Sequence, residues 1–155
     1  MDKKELKNIF QFLDNSEYSI DQDIINNHCT DWRGDFIGTS EIILFPKSTS
    51  SISKIIKVCE KNHIPIIPQG GNTGLVGGSV PRKGKGEIII NLKNMNNIRK
   101  INLTDNSVVI EGGCILEDLK KKLWEHDMEF PLNMGSKGSC QVGGNIATNA
   151  GGVNY

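Results

Sequence analysis

The sequence carries no surplus of charge of either sign. Eighteen lysines and arginines stand against 18 aspartates and glutamates, and the longest like-charged block is Lys120–Lys122. A basic footprint for nucleic acid is therefore not expected. Long apolar runs are also missing: no stretch approaches the roughly 20 apolar residues of a spanning helix. The opening "MDKKELKNIF" has charge without the apolar core or cleavage site of a secretory signal. These absences lead to the expectation of a cytoplasmic chain with no transmembrane segment. The four cysteines, Cys29, Cys59, Cys114 and Cys140, are too widely spaced for a zinc cluster or a CxxC pair. They are expected to stay reduced, with Cys59 as a small core residue on a helix face.

Catalytic constellations are missing as well. His28, His63 and His126 lie far apart without metal-ligand spacing. His63 and His126 fall near the ends of predicted helices, where an imidazole satisfies carbonyls or complements the dipole. Ser139 stands in "GSC", not in a GxSxG elbow, so nucleophilic hydrolysis has no support. "GGNTGLVGG" lacks the GxGxxG spacing of a Rossmann turn, and no lysine follows a glycine as in GxxxxGK[ST]. No catalytic residue and no metal ligand is named from the sequence.

Glycine is what the chain does have, and it is concentrated. Residues 65–81, "PIIPQGGNTGLVGGSVP", hold five glycines and three prolines. The run-up to them reads as strand, helix, strand. "EIILF" at 41–45 is a short apolar run, and "STSSISKIIKVCEKNH" places Ile52, Ile55, Ile56 and Cys59 at i, i+3, i+4, i+7 behind hydroxyl caps; "IPII" at 64–67 then resumes a strand. This pattern predicts parallel strands at 42–45 and 64–67 joined by a helix over about 51–61. A glycine loop after a parallel strand sits at the carboxyl end of a sheet, where ligands bind. Glycines there let backbone N–H groups converge into a nest for a phosphate oxygen, and at least one of Gly70, Gly71 and Gly74 is expected at positive φ. Asn72, Thr73 and Ser79 add possible side-chain donors, and Pro68 and Pro81 stiffen the two ends. The glycines and prolines of 75–86 exclude a regular helix after the turn, so any phosphate is held by loop amides. A merely flexible surface loop is the plain alternative.

A second glycine-rich segment, "PLNMGSKGSCQVGGNIATNAGGVNY", occupies 131–155. Gly135, Gly138, Gly143, Gly144, Gly151 and Gly152 alternate there with small polar residues, and "NIATNA" can form a helical turn. Two separated stretches of side-chain-poor backbone suit one elongated ligand. Between them, "GEIIINL" at 86–92 reads as a buried strand, and 98–103 and 107–111 as two strands joined by a turn at 104–106. "CILEDLKKKLWEHD" places Ile115, Leu116, Leu119 and Leu123 on one helical face, which leaves Lys120–Lys122 most simply on the wet side, against a docking patch as the alternative. Leu6, Ile9, Phe10 and Leu13 predict an N-terminal helix, followed by a less regular connection through "DNSEYSIDQDIINNH". "DWRGDFIG" at 31–38 reads equally as a turn packed by Trp32 or as a cofactor contact.

The ordered segments "PIIPQGGNTGLVGGSVP", "INLKNMNNI", "VVIEGGCILEDL" and "FPLNMGSKGSCQVGGNIATNAGG" resemble the FAD-binding half of the FAD-linked D-2-hydroxyacid dehydrogenases, over about residues 30–155. That group contains D-lactate dehydrogenase, the glycolate oxidase FAD subunit and D-2-hydroxyglutarate dehydrogenase. The resemblance implies an α+β fold: a two-lobed FAD-binding domain of the vanillyl-alcohol-oxidase/PCMH type, with a βαβ-containing first lobe at 1–97 and an incomplete second lobe at 98–155. It implies a first pyrophosphate-binding segment of Gly70, Gly71, Asn72, Thr73 and Gly74 with Gly78 and Ser79. The second segment would be Gly135, Ser139, Gly143, Gly144, Asn145, Thr148, Asn149 and Gly151, reaching the flavin and its phosphates. Asn72 stands where some relatives carry a flavin-linking histidine, so the FAD is expected to be non-covalent.

In the complete enzymes of that group a D-2-hydroxyacid is oxidised to the 2-oxoacid, with hydride passing to the flavin; substrate and metal residues lie in a later cap domain. This chain holds none of that domain, so it is expected to bind FAD weakly or not at all by itself and to show no D-lactate or D-2-hydroxyglutarate oxidation. A small 2-hydroxyacid becomes a partner only if the domain is completed. The expected protein partners are another copy of the chain or a complementing C-terminal chain. The alternatives are a non-catalytic truncated remnant and one subunit of a split flavoprotein.

Overall fold

The structure is a computed structural model and describes residues 11–152. The chain divides into two compact units, Met1–Asn94 and Met95–Tyr155. Most of the expected N-terminal helix, with Leu6, Ile9 and Phe10, lies outside the described residues; Leu13 is buried in the first unit's core.

In the first unit, a 3-10 turn (Asn15–Glu17) leads to β1 (Tyr18–Ser19) and α1 (Gln22–His28). The stretch expected to be irregular therefore contains a helix. Its period escapes notice because Ile25 is its one buried residue, while Asp21 starts it by accepting from the backbone N–H groups of Asp23 and Ile24. There follow β2 (Ile43–Leu44), α2 (Thr49–Lys61), β3 (Ile66–Gln69) and β4 (Ile88–Asn91). The four strands form one sheet in the order β1-β2-β4-β3. β2 and β3 both run parallel to β4, so the two strands foreseen on either side of α2 are parallel members of one sheet. They are not neighbours: β4 lies between them.

Residue chemistry explains that order. All four residues of β4 are buried, which requires cover on both faces and neighbours on both sides. β3 is only half-buried and contains Pro68, whose missing N–H suits an edge. Alternate residues then point to opposite faces. Ile42, Leu44, Ile88 and Ile90 pack with Ile55 and Cys59 of α2; Ile43, Phe45 and Ile89 pack with Ile25 and Cys29. Each fully buried isoleucine contributes about 1.5–3 kcal/mol of transfer free energy.

α2 starts at Ser48, whose Oγ accepts from the N–H of Ser51 (3.0 Å). Ile55 and Cys59 carry its core face, but Ile56, expected beside them, is exposed. Burial pushes the Cys59 thiol up to about 11, which fits an inert core residue. The helix ends as Asn62 Nδ2 donates to Val58 O and His63, at φ +54°, turns the chain so that Ile64 N–H reaches Cys59 O (2.8 Å).

In the second unit, β5 (Ile98–Asn102) and β6 (Ser107–Ile110) pair antiparallel, with a bulge between Ile98 and Lys100 and Asn106 at positive φ in the turn. Helices α3 (Leu116–Trp124) and α4 (Val142–Ala147) follow. Leu116, Leu119 and Leu123 of α3 pack with Cys114, Leu132, Cys140 and Val142. Lys120 departs from the expected wet face: it is buried, and its Nζ donates to Leu132 O (3.2 Å) beside Glu129 (3.8 Å). The segment 129–132 brings Leu132 O and Glu129 to the Lys120 ammonium, a tertiary event that helical period does not encode. Lys121 and Lys122 stay outside, paired with Glu117 and Glu125. Among the described residues no helix is long and apolar enough to cross a membrane.

Candidate functional site

The first glycine loop leaves the carboxyl end of β3 at Gln69. None of Gly70, Gly71 and Gly74 has positive φ, against expectation; the left-handed positions are Asn72 (φ +52°) and Gly77 (φ +72°). Asn72 tolerates that region because both ends of its carboxamide are held. Its Nδ2 donates to Thr30 O (2.7 Å), and its Oδ1 accepts from Ser79 Oγ (2.7 Å). Gly77 is glycine for a second reason: a Cβ there would meet the Phe36 ring at 2.6–2.9 Å.

What remains of the loop is its backbone donors. Among the described residues, no protein acceptor meets the backbone N–H groups of residues 70–79. A Cβ at Gly74 or Gly78 would have nothing within 4 Å, so a ligand can approach the peptide groups there. Loop amides without protein partners and with open space beside them meet the requirement of a diphosphate. The residues present fit an anionic group bound through backbone, with Asn72 and Ser79 occupied in holding the loop and not offered outward.

Beneath the loop lies a polar network that no sequence motif announces. Gln69 is buried; its Oε1 accepts from His28 Nδ1–H (2.6 Å) and Asn91 Nδ2 (3.1 Å), and its Nε2 donates to His28 O and Ser79 O (both 2.9 Å). These bonds fix the neutral His28 tautomer with its proton on Nδ1. Burial lowers the His28 pKa, and although the bond to Gln69 opposes that shift, nearby Lys93 adds to it.

In the second unit, residues 135–151 run through turns into α4. Gly135 and Gly144 are open, with nothing within 4 Å of where a Cβ would stand, whereas a Cβ at Gly143 would strike the backbone of Gly112 at 2.7 Å from its oxygen. Gly143 is thus explained by packing: its N–H donates to Gly112 O at 2.9 Å. Asn145 Nδ2 donates to Cys140 Sγ and Thr148 Oγ1 to Gly144 O, so these side chains serve the segment itself. Asn149, at φ +50°, ends α4, and Ala150 N–H closes onto Asn145 O. Ser139 and Gly151 lie in the flanking turns, with Ser139 N–H on Ser136 O. Gln141, which no motif in the sequence singles out, is buried with its Oε1 unpartnered, directly before the Gly143–Gly144 pair. A buried acceptor lacking a donor is costly, and a ligand N–H or O–H would satisfy it.

The loop "DWRGDFIG" is organised by Asp31, not by Trp32. Asp31 Oδ1 accepts from Phe36 N–H (2.8 Å), and Thr30 bridges to Ile37, while Trp32 is 74% exposed.

The chain is an α+β protein of two units, each carrying a glycine-rich loop with open backbone, and solved structures share its fold. Alkyldihydroxyacetonephosphate synthase superposes with a TM-score of 0.88 at 19% identity, covering 98% of this chain and 30% of that one. The α+β fold resembles the two-lobed vanillyl-alcohol-oxidase/PCMH FAD-binding fold. The chain belongs to the FAD binding domain family, which matches residues 40–155. It is related to the D-2-hydroxyacid dehydrogenases. A probable mitochondrial D-2-hydroxyglutarate dehydrogenase of Oryza sativa subsp. indica is 43% identical over 135 residues, 87% of this chain and 24% of the relative. A putative mitochondrial D-lactate dehydrogenase of Schizosaccharomyces pombe is 43% identical over 141 residues, 91% of this chain and 26% of the relative. The chain spans about a quarter of the length of these curated relatives.

FAD is the cofactor, held non-covalently; residues 70–79 contain no histidine, cysteine or tyrosine to bond a flavin. The expected cytoplasmic location is corrected, because several matched dehydrogenases are named as mitochondrial proteins. That expectation rested on lacking a secretory signal and a spanning helix, and an organelle-imported protein requires neither.

Proposed function

We propose that this chain is the FAD-binding portion of a flavin-dependent D-2-hydroxyacid dehydrogenase of the D-lactate, glycolate or D-2-hydroxyglutarate type. The observation carrying this reading is the pairing of 43% identity to a D-2-hydroxyglutarate dehydrogenase with a loop whose backbone donors at 70–79 have no protein acceptor among the described residues. When bound, FAD supplies the hydride acceptor for oxidation of a hydroxyacid to its 2-oxoacid. This chain's own residues bind and orient. The backbone of Gly70, Gly71, Asn72, Thr73 and Gly74, with Gly78 and Ser79, takes one part of the dinucleotide, and Gly135, Ser139, Gly143, Gly144, Asn145, Thr148, Asn149 and Gly151 frame the segment that takes another. Gln141 offers its unpaired oxygen to a ligand donor. No residue of the chain is assigned the removal of the hydroxyl proton. The chain spans about a quarter of the length of these relatives, so the reaction is proposed for the whole enzyme, and one subunit of a split flavoprotein is the second reading.

The test is a flavin-fluorescence titration of the 155-residue chain beside Gly74→Asp, with folding checked by circular dichroism. The fold has room for the new side chain, since nothing lies within 4 Å of the Gly74 Cβ position, so the expected loss is in FAD affinity alone: about tenfold or more, equivalent to ~1.4 kcal/mol. Equal affinities reject the loop assignment. Dye reduction with D-lactate and D-2-hydroxyglutarate is expected to be absent for residues 1–155 alone, and substrate-dependent turnover would show that these residues suffice for the reaction.

A further inference from the structure

We propose that Gln69 is a positioning residue for the cofactor, its single carboxamide setting the loop 70–79 so that backbone N–H groups face the ligand while Asn72 and Ser79 serve as internal braces. This rests on the reading that the loop holds FAD.

Gln69 ties together three stretches of chain. Its Oε1 accepts hydrogen bonds from His28 Nδ1–H at the end of α1 and from Asn91 Nδ2 at the end of β4, and its Nε2 donates to the carbonyls of His28 and Ser79. Ser79 lies ten residues along, at the far end of the loop. Asn91 uses its Nδ2 a second time, on Gly70 O at 2.9 Å. Above this layer Ser79 Oγ holds Asn72 Oδ1, and Asn72 Nδ2 holds Thr30 O.

The consequence follows from peptide geometry. In a planar trans peptide the C=O of one residue and the N–H of the next point to opposite sides. Drawing Gly70 O inward onto Asn91 therefore turns the Gly71 N–H outward, to the side where the loop amides have no protein acceptor. Drawing Ser79 O inward closes the loop at its other end, where Val80 N–H returns to Gly77 O at 3.2 Å. The site requires two donors and two acceptors from one side chain, and a carboxamide supplies both. Glutamate retains the acceptors but faces two carbonyl oxygens without a donor. Leucine removes all four of these hydrogen bonds.

Two measurements on the full 155-residue chain test this: 15N relaxation of residues 70–79 without FAD, and FAD affinity by fluorescence titration, for the wild type, Gln69→Glu and Gly74→Asp. In Gln69→Glu the loop order parameters are expected to fall from near 0.85 to below about 0.6, with β4 unchanged, and FAD affinity to fall about tenfold or more. Gly74→Asp is expected to lose affinity while the loop stays rigid, the mark of a group facing the ligand. If the Gln69 variant does not fold, Ser79→Ala replaces it, since it leaves β3 intact and frees Asn72. A loop as rigid as wild type in Gln69→Glu, or in Ser79→Ala where that replaces it, overturns the proposal whatever the affinity. A loosened loop with wild-type affinity overturns the positioning role. No FAD uptake by the wild type overturns the functional reading and with it the role toward the cofactor, while the relaxation data still decide whether Gln69 braces the loop.

Discussion

Gly143 and Gly144 are chemically identical neighbours in α4, and the structure assigns them opposite sensitivities. A Cβ on Gly143 would lie 2.7 Å from Gly112 O, 3.0 Å from its Cα and 3.2 Å from its carbonyl carbon. All three are backbone atoms, so no flexible side chain can yield, and the Gly143 N–H bond to Gly112 O (2.9 Å) would stretch as the segments part. Overpacking of this kind costs about 1–3 kcal/mol, and weakening one hydrogen bond about 1. The better helix propensity of alanine returns up to about 1 kcal/mol. The net expectation for Gly143→Ala is a loss of about 1–3 kcal/mol, and each kcal/mol lowers Tm by roughly 2–4 °C in a domain of this size. At Gly144 the Cβ meets nothing within 4 Å, so only the helix gain remains. Gly144→Ala should therefore melt at or slightly above the wild type while binding FAD more weakly, because the methyl occupies space open to the ligand. Thermal unfolding by circular dichroism without FAD, followed by flavin titration, separates the two effects. Equal melting temperatures for the two variants, or a Gly144→Ala variant destabilised as much as Gly143→Ala, would refute the reasoning.

Lys120→Ala should cost about 1–3 kcal/mol in urea unfolding, since it strips the buried Leu132 carbonyl of its donor, while Lys121→Ala, on the exposed side, should stay within about 0.5. Glu87 provides an acid-sensitive contact: burial pushes its carboxyl up, but the Arg82 N–H, the Arg82 side-chain bond and the Arg82 charge outweigh burial and hold it below the ordinary carboxylate value. A depressed folded pKa means stability that is present above the unfolded carboxylate pKa and lost as pH falls through the folded one. Glu87→Gln should therefore melt lower than wild type at pH 7 and show a shallower decline in Tm on acidification below about pH 4–5; parallel curves would argue against the contact.

Local pattern carried a large part of this protein. The apolar run of "GEIIINL" marked a buried strand, and the spacing of Ile55 and Cys59 behind hydroxyl caps marked a helix between strands. Those signals act over a few residues, where backbone preference and side-chain direction are set by neighbours in the chain. They also placed the first glycine loop at the carboxyl end of a parallel strand, which is why an elongated, phosphate-bearing ligand was legible from residues 65–81 and 131–155, while FAD itself was implied by the family resemblance of four ordered segments.

Other features depend on residues that meet only after folding. That β4 lies between β2 and β3 is decided by which strand must be buried on both sides, a comparison among three separated segments. Asn72, and not Gly70, Gly71 or Gly74, takes positive φ because Thr30 and Ser79 hold its carboxamide, one 42 residues away and the other seven. The Gln69 network spans 41 residues to His28 and 22 to Asn91, with no periodicity to announce it. Lys120 reads as solvated on its helix and becomes buried where Leu132 O and Glu129 meet its ammonium. Gly143 and Gly144 are indistinguishable as letters; only the approach of Gly112 makes one a packing contact and leaves the other open to a ligand.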